Sequence, residues 1–146
     1  HFAHPLNGFE TLTHYTRDGE IISPTEIKSE VRAAVPQTHI DFLSNLPLTL
    51  ATDDLIFVHA GLRPNVALAD QDIEDLLWIR DGFLETGHDF GRLVVHGHTA
   101  LDEPTHFGNR IDIDGGAGYG RPLVPVVFEG RDCWTLTSTG RTPLTP

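Results

Sequence analysis

Methionine is absent from this sequence, and cysteine occurs once, as Cys133. A single thiol closes no internal disulfide, which fits a reducing compartment and a cytoplasmic chain. Cys133 stands beside Trp134 in an apolar run, the setting of a buried structural thiol. A nucleophilic cysteine needs electropositive, partly exposed surroundings. With no methionine and His1 first, the chain is expected to be a segment of a longer protein. Long apolar runs are also lacking. Leu55-Ile56-Phe57-Val58 and Leu93-Val94-Val95 fall far short of the roughly 20 residues of a membrane helix. Basic residues are scarce, 10 against 21 acidic, for a net charge of −11. Such a chain repels a phosphate backbone, so nucleic acid is excluded as a general partner. A phosphate substrate would need a local positive source, such as bound divalent metals and a placed arginine.

What is present is ordinary for a soluble domain. The 146 residues are 39% hydrophobic and 21% charged, with no internal repeat or low-complexity stretch. Residues 1–17 are irregular, with turn signals at Pro5, Asn7-Gly8 and, just beyond, Asp18-Gly19. Ser23-Pro24-Thr25-Glu26 reads as a helix start, with a cap, a first-turn proline and capping-box spacing. Ile27, Val31 and Ala34 follow on one face. Pro36 breaks this helix and opens a second one carrying Ile40, Phe42, Leu43 and Leu46, which Pro47 ends. The pair reads as a helical hairpin.

From Asp54 the pattern changes to short buried strands that empty into glycine-containing loops. Leu55–Val58 leads into His59-Ala60-Gly61, and Leu93–Val95 leads into His96-Gly97-His98-Thr99. Between them, residues 70–78 have helical spacing, with Ile73, Leu76 and Leu77 apolar. Arg110–Asp114 alternates as a strand and stops at Gly115-Gly116. Leu123–Phe128 and Cys133–Thr137 read as a hairpin around Glu129-Gly130-Arg131-Asp132. The end of the chain from Gly140 reads as a loose tail, with residues 141–146 outside a domain of residues 1–140.

Two strand ends thus deliver histidines, and imidazole is the commonest side-chain metal ligand. Gly61 and Gly97 allow the backbone geometry or close approach that a bound ion would need. Spacing alone still favours a solvated loop histidine over a ligand for either residue, in a chain with nine histidines. His96 points away from its neighbours if the strand continues, and is read as no ligand. His39 and His88 read as surface or loop residues, while His1, His4, His14 and His106 have no informative context. Trp78 is read as a packing residue.

Phe57-Val58-His59-Ala60-Gly61-Leu62-Arg63-Pro64, Leu76-Leu77-Trp78-Ile79-Arg80 and Val94-Val95-His96-Gly97-His98-Thr99 occur in that order. Asn109-Arg110-Ile111-Asp112-Ile113-Asp114-Gly115-Gly116-Ala117 follows. Together these motifs resemble those of bacterial serine/threonine phosphoprotein phosphatases, of the calcineurin-like metallophosphoesterase superfamily. The resemblance covers most of residues 36–130. It implies an α/β fold, a four-layer αββα sandwich, of which this chain holds the second sheet and some of the first.

The resemblance also implies roles. His59 and His98 match two ligands of the second metal in a dinuclear site. The ions would be manganese, with iron or zinc as alternatives. Arg80 matches the arginine that grips the substrate phosphate; the competing reading is a salt bridge with Asp81 or Glu85. Asp114 matches a residue that could orient a ligand histidine by hydrogen bonding, or simply form a turn before Gly115. Gly115 departs from the threonine usual in the pattern N-R-I-x-I-D-T-G-A. Tyr119 falls where related enzymes place rim residues that touch substrate.

The implied reaction is phosphomonoester hydrolysis by a hydroxide held between two metals, on phosphoserine or phosphothreonine proteins or a small phosphoester. Alternatives are a diadenosine tetraphosphate-type hydrolase and a non-catalytic binding domain of the same fold. A third is a separately encoded half that pairs with a partner chain. The family motifs G-D-x-H-G, G-D-x-x-D-R-G and G-N-H-[DE] do not occur in the sequence. They carry the general acid and the remaining metal ligands, and Asn7–Leu12 resembles the segment just after the third. The expectation is therefore a C-terminal portion with little activity alone and apolar edges prone to pairing.

Overall fold

The computed structural model describes residues 34–146. The helix start at Ser23–Glu26 lies outside the described residues, as do most of the first helix and all earlier turns. The chain divides into two compact units, residues 1–46 and 47–146. In the first, α1 spans Gln37–Ser44, beginning after Pro36 as the sequence suggests. It buries none of its own residues, and Phe42 and Leu43 are exposed. No helix among the described residues is long and apolar enough to cross a membrane.

The second unit is a mixed α/β structure built on two sheets. The larger sheet contains β1 (Thr49–Ala51), β2 (Leu55–Val58), β3 (Leu93–His96), β4 (Thr105–His106) and β5 (Arg110–Asp112). Their order across the sheet is β1-β2-β3-β5-β4. β2, β3 and β5 run parallel, with Leu55 opposite Leu93 and Val95 opposite Ile111, while β1 and β4 are antiparallel edges. Parallel neighbours need crossovers. The one between β2 and β3 carries the short helix α2 (Ile73–Trp78), whose Asp72 cap accepts the Glu74 N–H at 2.8 Å.

Alternation along the central strands sends side chains to two faces. Ile56, Val58 and Val94 face a cluster with Leu62, Leu76, Ile79 and the wholly buried Phe83. Leu55, Leu93, Val95 and Ile111 face the second sheet through Cys133, Val126 and Phe128. That sheet is the meander β6 (Val126–Glu129), β7 (Asp132–Thr137) and β8 (Gly140–Pro143). Phe57 and Phe128 meet edge to face across the two sheets, ring centroids 5.9 Å apart.

Two expectations change. The stretch read as a loose tail pairs with β7, Leu136 opposite Arg141, and the Leu144 N–H continues to the Cys133 carbonyl at 2.9 Å. All four β8 residues are exposed, so no apolar alternation marked it as a strand. Gly140 makes the reversal with a φ of 117° that a side chain would resist. Within α2 only Leu76 is fully buried, and Ile73 is exposed. β6 begins at Val126, three residues after Leu123, which is exposed.

Candidate functional site

Because β2, β3 and β5 are parallel, their carboxyl ends open on one edge of the sheet, the usual place for ligands in open α/β sheets. β2 releases His59 there, and β3 releases Gly97-His98-Thr99. The Gly97 N–H donates to the His59 carbonyl at 3.0 Å, tying the two loops together just past the strands. The Ala60 N–H donates to the Leu76 carbonyl, fixing the first loop to α2. Gly61 is required by packing. A Cβ there would lie 2.2 Å from a ring carbon of Phe83.

These constraints bring the two candidate ligand histidines together. Nε2 of His59 and Nδ1 of His98 are 3.1 Å apart, with ring centroids at 4.9 Å. His98 has a φ of 67°, and the Thr99 N–H donates to the Gly97 carbonyl at 2.8 Å across it. A three-residue turn with a positive central φ is rare and strained. The His98 Nε2 is buried without a hydrogen-bond partner among the described residues, as is the Thr99 Oγ1. Burial lowers the His98 pKa, with Arg80 and His59 adding to the effect, so the ring favours the neutral form. Two imidazole nitrogens at this separation suit one divalent ion. Metal–nitrogen bonds of about 2.0–2.1 Å would meet at an angle of about 100°. Among the described residues no group of three or more His, Cys, Asp or Glu is placed to hold a metal. The pair therefore fits as a partial ligand set.

Arg80 lies at the same mouth. Its guanidinium donates to the His98 carbonyl at 3.4 Å, and it pairs with neither Asp81 nor Glu85 among the described residues. Glu85 instead accepts the Gly82 N–H. Trp78 departs from the packing role read for it. The indole is exposed, and its edge-to-face contact is with His98, centroids 5.5 Å apart. At the end of this six-residue helix no layer covers the indole among the described residues.

Asp114 takes the turn role, accepting the Gly116 N–H at 2.9 Å, and makes no hydrogen bond to either histidine. It lies against Gly97, where a Cβ would be 3.2 Å from its own, and its charge favours protonated His98. Tyr119 sits in a single 3-10 turn (Ala117–Tyr119) with its ring exposed. No hydrogen bond or ring contact joins it to His59, His98 or Arg80 among the described residues.

No family model matches this chain, and no curated protein does. The geometry also holds groups that were assigned no role from the sequence. His96, Arg110 and Asp112 are all fully buried on the α2 face of the sheet, where His96 meets the Phe83 ring at 4.9 Å. Arg110 donates to His96 Nε2 at 3.0 Å and to the Leu84 carbonyl at 2.8 Å, and its guanidinium covers the Phe107 ring. Burial pushes His96 down to about 4 and Asp112 up to about 6. The available signal was Arg110 and Asp112 standing in an otherwise apolar strand, two residues apart and so on one face.

Proposed function

We propose that this chain carries part of a metal-dependent phosphoesterase site, in a fold of the calcineurin-like four-layer type. The substrate class is a phosphoserine or phosphothreonine protein. The observation that carries the reading is the pair of imidazoles. Two parallel strand ends hold His59 and His98 with ring nitrogens 3.1 Å apart, one of them on a strained turn. Strain of this kind persists where the surroundings enforce it, and it clusters at functional positions.

In this reading His59 and His98 hold one divalent ion, manganese or alternatively iron or zinc. Such ions supply positive charge against a phosphoryl group and acidify water. Arg80, beside His98 and without an ion-pair partner among the described residues, grips phosphate oxygens through its planar fork and offsets the repulsion of a chain at −11. Trp78 forms an apolar flank of the same mouth. The sequence supplies no second metal set, so hydrolysis needs groups outside this chain's motifs.

Calorimetric titration of the chain with Mn²⁺ and Zn²⁺ is the test. One ion per chain is expected. His59→Ala or His98→Ala should weaken it by more than the roughly 10–100-fold that losing a supporting residue costs. Protein produced with the coding sequence upstream of His1 should hydrolyse a phosphopeptide in preference to diadenosine tetraphosphate. One rival is a binding domain of the same fold. That rival predicts no metal uptake and no effect of either substitution, and such a result would displace the phosphoesterase reading.

A further inference from the structure

Behind the two histidines lies a buried polar chain to which the phosphoesterase reading gives no role. Arg110 reaches His96 Nε2 at 3.0 Å. A guanidinium only donates, so Nε2 must offer its lone pair. On the other side of the ring, Nδ1 lies 3.1 Å from the Gly97 carbonyl, which only accepts. The two contacts agree on one tautomer, neutral imidazole with its proton on Nδ1. The same Gly97 carbonyl also accepts the Thr99 N–H at 2.8 Å, the bond that closes the strained turn around His98.

We propose that His96 and Arg110 are positioning residues for His98. Arg110 selects the Nδ1–H form of His96, and that N–H joins the Thr99 amide in pinning the Gly97 carbonyl. The turn that presents the His98 ring is held from beneath by a side chain that never reaches the site. Arg110 is anchored in turn by the Leu84 carbonyl and by the Phe107 ring at 3.8 Å, so the support spans three segments of the unit. A left-handed non-glycine residue reverts to a relaxed conformation unless its neighbours prevent it. The double acceptor at Gly97 provides that restraint. The consequence for metal affinity rests on the phosphoesterase reading; the consequence for the turn does not.

Two substitutions separate the halves of the device. His96→Asn places an amide N–H near the old Nδ1 and keeps the donor to Gly97. His96→Gln places its amide near the old Nε2, keeping the Arg110 contact and losing the Gly97 donor. In His96→Gln the Thr99 amide should exchange with solvent about tenfold faster, the loss of one hydrogen bond, while Val58 and Val95 are unchanged. His96→Asn should stay near wild type. Zn²⁺ affinity, measured by calorimetry, should fall about tenfold in His96→Gln and recover in His96→Asn. Unchanged Thr99 exchange in His96→Gln, or equal acceleration in both variants, would overturn the proposal. If either variant does not fold, ¹⁵N spectra of the wild-type ring decide. A proton on Nδ1 supports the proposal, and a proton on Nε2 overturns it. Absence of Zn²⁺ binding by the wild type would remove the phosphoesterase reading and leave the exchange result to judge the turn.

Discussion

The indole of Trp78 meets the imidazole of His98 edge to face, ring centroids 5.5 Å apart and planes at 85°. Only one other tryptophan exists, Trp134, in the second sheet and close to Arg141. Trp78 therefore reports on His98 from inside the molecule. Its emission should fall as His98 is protonated, with a midpoint below the ordinary histidine value of 6.5 because burial lowers that pKa. Saturating Zn²⁺ should shift the emission at pH 7. Trp78→Phe should abolish both responses and leave the Trp134 signal flat. A response that survives in the variant would place the sensor elsewhere.

Gly61→Ala puts a methyl group 2.2 Å from a carbon of Phe83, which is wholly buried. Overpacking of this kind costs about 1–3 kcal/mol. Urea unfolding should show the loss, and Phe83→Leu in the same chain should recover part of it. Additive destabilisation in the double variant would mean that the two positions do not share the space.

Asp112 titrates abnormally, and the direction has a testable consequence. Burial raises its folded pKa to about 6, above the ordinary value of 3.8. The folded state then holds the proton more tightly than the unfolded one. Ionisation costs nothing below about pH 4, and the cost grows up to pH 6 and is complete above it. Asp112→Asn removes that cost. The stability of the variant relative to wild type should rise by about 2–3 kcal/mol between pH 4 and pH 7. His96 Nδ1 lies 3.8 Å from Asp112 Oδ2, so the difference also contains the coupling of the two groups. Urea midpoints at several pH values measure it, and a flat difference would show that Asp112 ionises normally.

Cys133 is buried, its thiol donates to the Leu144 carbonyl at 3.1 Å, and burial raises its pKa. It should react with a disulfide reagent only after unfolding. Deleting residues 140–146 removes β8 and that carbonyl, and should expose the thiol to rapid reaction in the native state. A still-protected thiol would mean that β6 and β7 alone cover it.

Arg80→Lys keeps the charge and loses the planar fork. With Zn²⁺ present, binding of inorganic phosphate should weaken about tenfold in Arg80→Lys and further in Arg80→Ala. Equal affinity in all three would assign Arg80 to the protein surface.

β2 and β3 were legible because each is a short apolar run that gives way to a histidine, and that signal survives without any tertiary information. His59 and His98 could be nominated for the same reason. Their approach to 3.1 Å could not be read, since it depends on parallel pairing of β2 with β3 across 34 intervening residues. β8 was hidden because an exposed edge strand needs no apolar face. Trp78 was misread because burial of an aromatic depends on what lies above it, and none of the described residues covers the indole. Arg110 and Asp112 were passed over as ordinary polar positions, though the register that places Arg110 beside Val94 also places it on the buried face. The single-glycine requirement at Gly61 was half visible; its cause, the Phe83 ring, lies 22 residues away.

The left-handed backbone at His98 also bears on how the protein would respond to selection. That conformation costs about 1–2 kcal/mol for a residue with a side chain and almost nothing for glycine. A library screened only for heat resistance should therefore drift to glycine at position 98. A library screened for ligand capture should hold the imidazole there and accept the lower melting point. The position at which those two populations part company marks where this fold gives up durability for chemistry.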